Sequence, residues 1–89
     1  MLTPEERIHL IEARLTQAFS PCTINIIDDS HRHKGHEGAK SGASHFTLEI
    51  FSEKLVHLNR VSQHKAIYQQ LSDLIPVEIH ALKIILLPA

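Results

Sequence analysis

Between Asp28 and Phe46 the chain reads DDSHRHKGHEGAKSGASHF, a stretch holding four of its eight histidines and all three of its glycines. His31, His33 and His36 put three imidazoles within six residues, and Gly35 gives the backbone the freedom to fold them toward one point. Neutral imidazole binds zinc, iron, copper and nickel. The spacing matches no closed structural zinc site, because the usual cysteine partners are missing. Two readings of the stretch follow from the residues alone: metal ligation, or a mobile polar loop whose histidines are incidental. His80 is the second candidate, at the start of an otherwise apolar run, Val77-Glu78-Ile79-His80-Ala81-Leu82. The ordinary role of such a residue is a rim histidine with a ring nitrogen bonded to a backbone carbonyl. His45 reads as an anchor for the return of the loop, His64 as a packed or capping residue on a helix, and His9 and His57 as surface residues. Asp28 and Asp29 read as solvated turn residues. Catalysis has little support: there is no His-Glu-x-x-His, no phosphate loop and no cysteine beside a base.

The elements that must position these side chains follow from patterning. Thr3-Pro4-Glu5-Glu6 is a helix start, with Thr3 as cap, Pro4 in the first turn and Glu6 closing a capping box. Ile8, Ile11, Leu15, Ala18 and Phe19 recur at helical spacing until Ser20-Pro21 ends the helix. Thr23 to Asp28 alternates and is rich in β-branched residues, which predicts a strand. Asp29 to Ala43 is loop, fifteen residues where hairpin loops usually have about two to five. It is expected to be mobile in the isolated protein. Ser44 to Phe51 predicts a second strand, with Phe46, Leu48 and Ile50 on one face. Leu55 to Ile75 predicts helix, with His64, Ile67, Tyr68, Leu71, Leu74 and Ile75 on one face, a separate short turn around Leu58 to Ser62, and Pro76 as the stop. Ile79 to Leu87 predicts a last strand, apolar enough to suit a well-covered or interior strand rather than a bare edge. The order is α-β-β-α-α-β: an α+β fold in which the first two strands form a hairpin, the third returns parallel to the second, and the helices cover one sheet face.

Composition narrows the class. Eighty-nine residues, 43% hydrophobic and 21% charged, predict one domain spanning residues 1–89. The lone Cys22 cannot form an internal disulfide, reads as a small buried hydrophobe, and makes a reducing, cytoplasmic setting the default. The start, MLTPEERIHL, has no signal-peptide pattern, and no apolar run approaches membrane-spanning length. A formal net charge of -1 is weak for a dedicated nucleic-acid binder.

Several segments carry a family resemblance: Asp28-Asp29-Ser30-His31-Arg32-His33, Gly42-Ala43-Ser44-His45-Phe46, Val61-Ser62-Gln63-His64-Lys65-Ala66-Ile67-Tyr68, and Ile79-His80-Ala81-Leu82. In this order and spacing, over nearly the whole chain, the sequence resembles the BolA family, and His33 to Ala39 resembles its long-loop variety. The resemblance implies a fold similar to the class II KH arrangement, with a three-stranded mixed sheet. It also implies a non-enzymatic role, in which the protein pairs with a monothiol glutaredoxin and shares a [2Fe–2S] cluster, glutathione supplying one thiolate. No cluster would then be intrinsic to the isolated protein. The family's C-terminal ligand falls on His80. Its second ligand falls most naturally on His33, with His36 or His31 as substitutes. Imidazole in place of thiolate reduces negative charge and raises the reduction potential. Because a ligating imidazole must be unprotonated, acid should release the cluster.

The chain departs from the family pattern in two places. Gln63 stands where the helix motif usually carries arginine, and the chain stops at Pro88-Ala89 where many relatives continue. The strand face bearing Ile84 and Leu86 is therefore expected to be less covered and open to a partner or to self-association, on a protein that is otherwise a monomer. The rival function is DNA binding in transcriptional regulation, carried by Lys54, Arg60, His64 and Lys65 on a helix pair. Against it, Asn59-Arg60-Val61-Ser62 stands where a KH domain has its Gly-x-x-Gly clamp.

Overall fold

The computed structural model describes residues 2–30 and 44–88. The order is α1 (Pro4–Phe19), β1 (Cys22–Asp28), β2 (Ser44–Ser52), α2 (Glu53–Val56), α3 (Arg60–Leu71) and β3 (Ile79–Leu86), with a turn of 3-10 helix at Ser72–Leu74. The predicted α-β-β-α-α-β order is therefore present. The predicted capping box is present too: the Glu6 amide donates to Thr3 Oγ1, and the Thr3 amide donates to Glu6 Oε1.

The sheet order is β1-β2-β3, with β1 antiparallel and β3 parallel to β2. Period-two alternation sends Phe46, Leu48 and Ile50 of β2 to one face, where each is essentially buried. They form one core with Ile11, Leu15 and Phe19 of α1, Leu55 of α2, Ile67 and Leu71 of α3, and Ile79 and Ile84 of β3. All helices thus cover a single sheet face. The other face carries His45, Thr47, Glu49 and Phe51.

Three sequence expectations need correction or narrowing. The short helix lies at Glu53–Val56 and not around Leu58 to Ser62. Two side-chain caps set this break. Ser52 Oγ accepts from the Lys54 amide, and Asn59 Oδ1 accepts from the Ser62 amide, so Ser62 belongs to the first turn of α3. Second, of the two positions expected for β3, interior or well covered, the strand takes the covered one: it lies at the sheet's edge because β2 occupies the centre. Its inward residues are covered by the helices, and its outer edge is partly shielded by α3, where the Tyr68 hydroxyl donates to the Leu82 carbonyl at 3.0 Å. Tyr68 consequently sits more exposed than the apolar face on which it was expected. Third, Ile84 and Leu86 do not form an open patch. Ile84 is buried in the core and Leu86 packs against it. Cys22 is a free thiol, half-buried against the same core.

Candidate functional site

β2 and β3 run parallel, so their first residues lie side by side at one end of the sheet. Ser44 pairs with Ile79, but His45 pairs with Ala81. His80 is the additional residue of this bulge and has no cross-strand partner. Its effect appears in exposure: Ile79 is buried, then both His80 and Ala81 are exposed, before alternation resumes with half-buried Leu82. The bulge therefore turns His80 outward on the face that no helix covers. There it meets His45, with ring centroids 5.0 Å apart and ring planes inclined by 43°.

His45 also performs the anchoring role expected from sequence. Its carbonyl accepts from the Asp29 amide at 2.7 Å, and its amide donates to Ser30 Oγ at 3.2 Å. The Ser30 amide in turn donates to Asp28 Oδ1 at 2.9 Å, and the Thr47 hydroxyl donates to Asp29 Oδ2. Asp28 and Asp29, expected as solvated turn residues, are half-buried and hydrogen-bonded where the chain leaves β1. The chain leaves β1 and enters β2 directly beside the two imidazoles. His31, His33 and His36 lie outside the described residues, as does the loop expected to be mobile. Among the described residues, no group of three or more His, Cys, Asp or Glu side chains is placed to hold a metal ion.

Beneath this end of the sheet lies a residue that the sequence reading missed. Arg7 is 5% exposed, with Nη1 donating to Ser44 Oγ at 2.7 Å and Nε donating to Glu78 Oε1 at 3.0 Å. The Leu2 amide also donates to Glu78 Oε1, at 3.2 Å. Arg7 therefore ties α1 to Ser44, which precedes His45, and to Glu78, which stands two residues before His80. The hydrogen bond from Arg7, opposed by desolvation, holds the Glu78 carboxyl below its ordinary range. A signal for Arg7 existed: positions 7, 11, 15 and 19 recur every fourth residue, and all four are buried.

The residues of the rival DNA reading are only partly brought together. Arg60 and His64, one helical turn apart, line a groove of about 430 Å³ beside β3, together with Gln63, Lys83, Ile84, Ile85 and Leu86. Lys54 on α2 and Lys65 on α3 are exposed and do not line it. Lys83 was missed, although it is the one charged residue within β3. Gln63 uses its side-chain amide to donate to the Leu55 carbonyl at 3.0 Å, joining α3 to the end of α2.

This arrangement can be compared with known proteins. The family model described as BolA-like protein matches residues 15–88. The chain belongs to the BolA family. It is 33% identical over 75 residues to the DNA-binding transcriptional regulator BolA of Vibrio cholerae, covering 84% of this chain and 68% of that protein. To the Escherichia coli protein of the same name it is 31% identical over 72 residues, covering 81% of this chain and 66% of the relative. Two Arabidopsis thaliana structures resemble the fold closely. The BolA domain of SufE1 has a TM-score of 0.77 at 28% identity, covering 96% of this chain and 93% of that one. BolA1 has a TM-score of 0.74 at 27% identity, covering 97% and 92%. The α+β fold and the family expected from sequence are both borne out. Among the described residues, no helix is long and apolar enough to cross a membrane.

Proposed function

We propose that this BolA-family chain is a non-enzymatic adaptor that pairs with a monothiol glutaredoxin and contributes imidazole ligands to a shared [2Fe–2S] cluster. The observation that carries the reading is His80, turned outward by a bulge, against His45, at the end of the sheet where the hairpin connection begins and ends. The donor set suits the group: imidazole replaces thiolate on iron in mixed-ligand [2Fe–2S] centres. His80 is the first ligand, and the second is His33, with His36 or His31 as substitutes. His33 stands three residues beyond Ser30, a chain reach of about 10 Å. His45 is the neighbour against which the His80 ring rests. Such a shared cluster would serve iron–sulfur trafficking or iron regulation in the cytoplasm.

The test mixes the chain with cluster-loaded monothiol glutaredoxin and glutathione and records visible absorption and circular dichroism. His80→Ala should abolish the mixed-ligand spectrum while leaving the far-ultraviolet spectrum and melting temperature unchanged. A variant spectrum identical to the parent's defeats the assignment.

Similarity to the DNA-binding transcriptional regulators BolA of Escherichia coli and Vibrio cholerae favours a second reading, DNA binding in transcriptional regulation. Arg60 and Lys65 on the exposed side of α3, with Lys54 and His64 nearby in the chain, would contact phosphates. Binding of duplex DNA that persists at near-physiological salt would support it, and binding confined to low salt would count against it.

A further inference from the structure

The outer edge of β3 has features that neither reading uses. In a strand, successive residues turn their backbone groups to alternate sides. The Leu87 amide donates to the Ile50 carbonyl of β2, so the odd-numbered residues here face the sheet. The Leu82 carbonyl faces the other way, toward Tyr68, so the even-numbered residues face outward. By this parity Ile84 and Leu86 direct their amides and carbonyls away from β2, into the groove. Tyr68 closes the groove's near end by covering Leu82.

The groove's walls add charge and apolar surface. Arg60, Gln63 and His64 line it from α3, and Lys83, Ile84, Ile85 and Leu86 line it along the strand. Among the described residues that line it, none is acidic. The nearest carboxylate on the neighbouring strand is Glu49, paired across from Ile85 and engaged by Asn25 Nδ2 at 2.8 Å. An outward-facing strand edge and a cationic rim together specify an occupant.

We infer that this groove binds an extended acidic peptide segment of a partner protein, which adds as a strand to the edge of β3 at Ile84 and Leu86 while its carboxylates meet Arg60 and Lys83. Strand addition takes its affinity from main-chain hydrogen bonds and its specificity from the flanking side chains. The backbone fit separates this occupant from nucleic acid, which offers no complementary ladder.

The probe is a synthetic heptapeptide of Val alternating with Glu and Asp, titrated into the full chain labelled with nitrogen-15. Amide shifts should concentrate at Ile84, Leu86 and Arg60. The same peptide N-methylated at alternate residues should lose at least about tenfold in affinity, because it cannot form the ladder. Arg60→Glu combined with Lys83→Glu should also lose about tenfold, and should regain binding with a version carrying Lys in place of the acids. Both positions are exposed, so the double variant should fold, and its melting temperature checks this. Four outcomes overturn the inference: shifts confined to another surface, equal binding of the N-methylated peptide, tighter binding of a duplex oligonucleotide at the same amides, or concentration-dependent shifts at Ile84 and Leu86 without peptide, which would assign the edge to a second copy of this chain. Cluster sharing through His80 is read by a separate spectrum and stands or falls independently.

Discussion

Replacing Arg7 by Met probes how the end of the sheet is held together. Met preserves an unbranched stem of similar helix propensity but removes the guanidinium. The hydroxyl of Ser44, which is only 2% exposed, then loses its charged donor. A buried hydrogen bond to a charged group contributes about 1.5–3 kcal/mol. Counting that bond alone, Arg7→Met should lower unfolding free energy by about 2 kcal/mol and the melting temperature by about 8–16 °C for a domain of this size. Urea denaturation followed by circular dichroism measures the first, provided the slope with denaturant is unchanged. A cycle with Ser44→Ala should give a coupling of at least about 1 kcal/mol. Acid supplies a second readout. Because the folded-state pKa of Glu78 is lowered, its stabilising contribution is fully present above the unfolded glutamate value and disappears as pH falls through the lowered folded value. The parent should therefore lose stability below about pH 4.3, and Arg7→Met should lose less over that window. A stability change under about 0.5 kcal/mol, or identical acid profiles, would refute the clasp.

Other expectations concern the framework. Ser52 Oγ donates to the Phe19 carbonyl at 2.7 Å and caps α2, so Ser52→Ala should cost about 1–2 kcal/mol in chemical denaturation. Leu48→Ala, at a fully buried position of the central strand, should cost about 2–5 kcal/mol by the same measurement. Asn59→Ala removes the cap of α3 and should cost about 1 kcal/mol, with faster amide exchange at Ser62 as its local mark.

The sequence disclosed what is local and periodic. Capping chemistry fixed the start of α1, alternation fixed β2, and the predicted boundaries of β1, β2 and β3 fall within a residue of those observed. The helix break escaped because Asn59 was read as part of a turn and not as a cap. The edge position of β3 follows from the expected topology, whereas composition alone could not tell an interior strand from an edge strand whose inner side alone is covered. At the site, His80 was marked by its chemistry in an apolar strand, while its exposure depends on a one-residue slip in pairing that no single-strand pattern records. The contact between His45 and His80 joins residues thirty-five positions apart and exists only once β2 and β3 lie parallel. Arg7 was hidden by the habit of reading charged residues as solvated, although its spacing placed it on the buried stripe.

The slip at His80 also separates two demands on that position. An exposed side chain that has no partner across the ladder and rests only against the His45 ring contributes little to whether the polypeptide reaches its native state. Under the proposed function, substitution there should alter cluster ligation without changing whether the chain folds. Where alternate strand positions support the core, an exposed bulge residue such as His80 is free of that demand, and its identity can be set by chemistry.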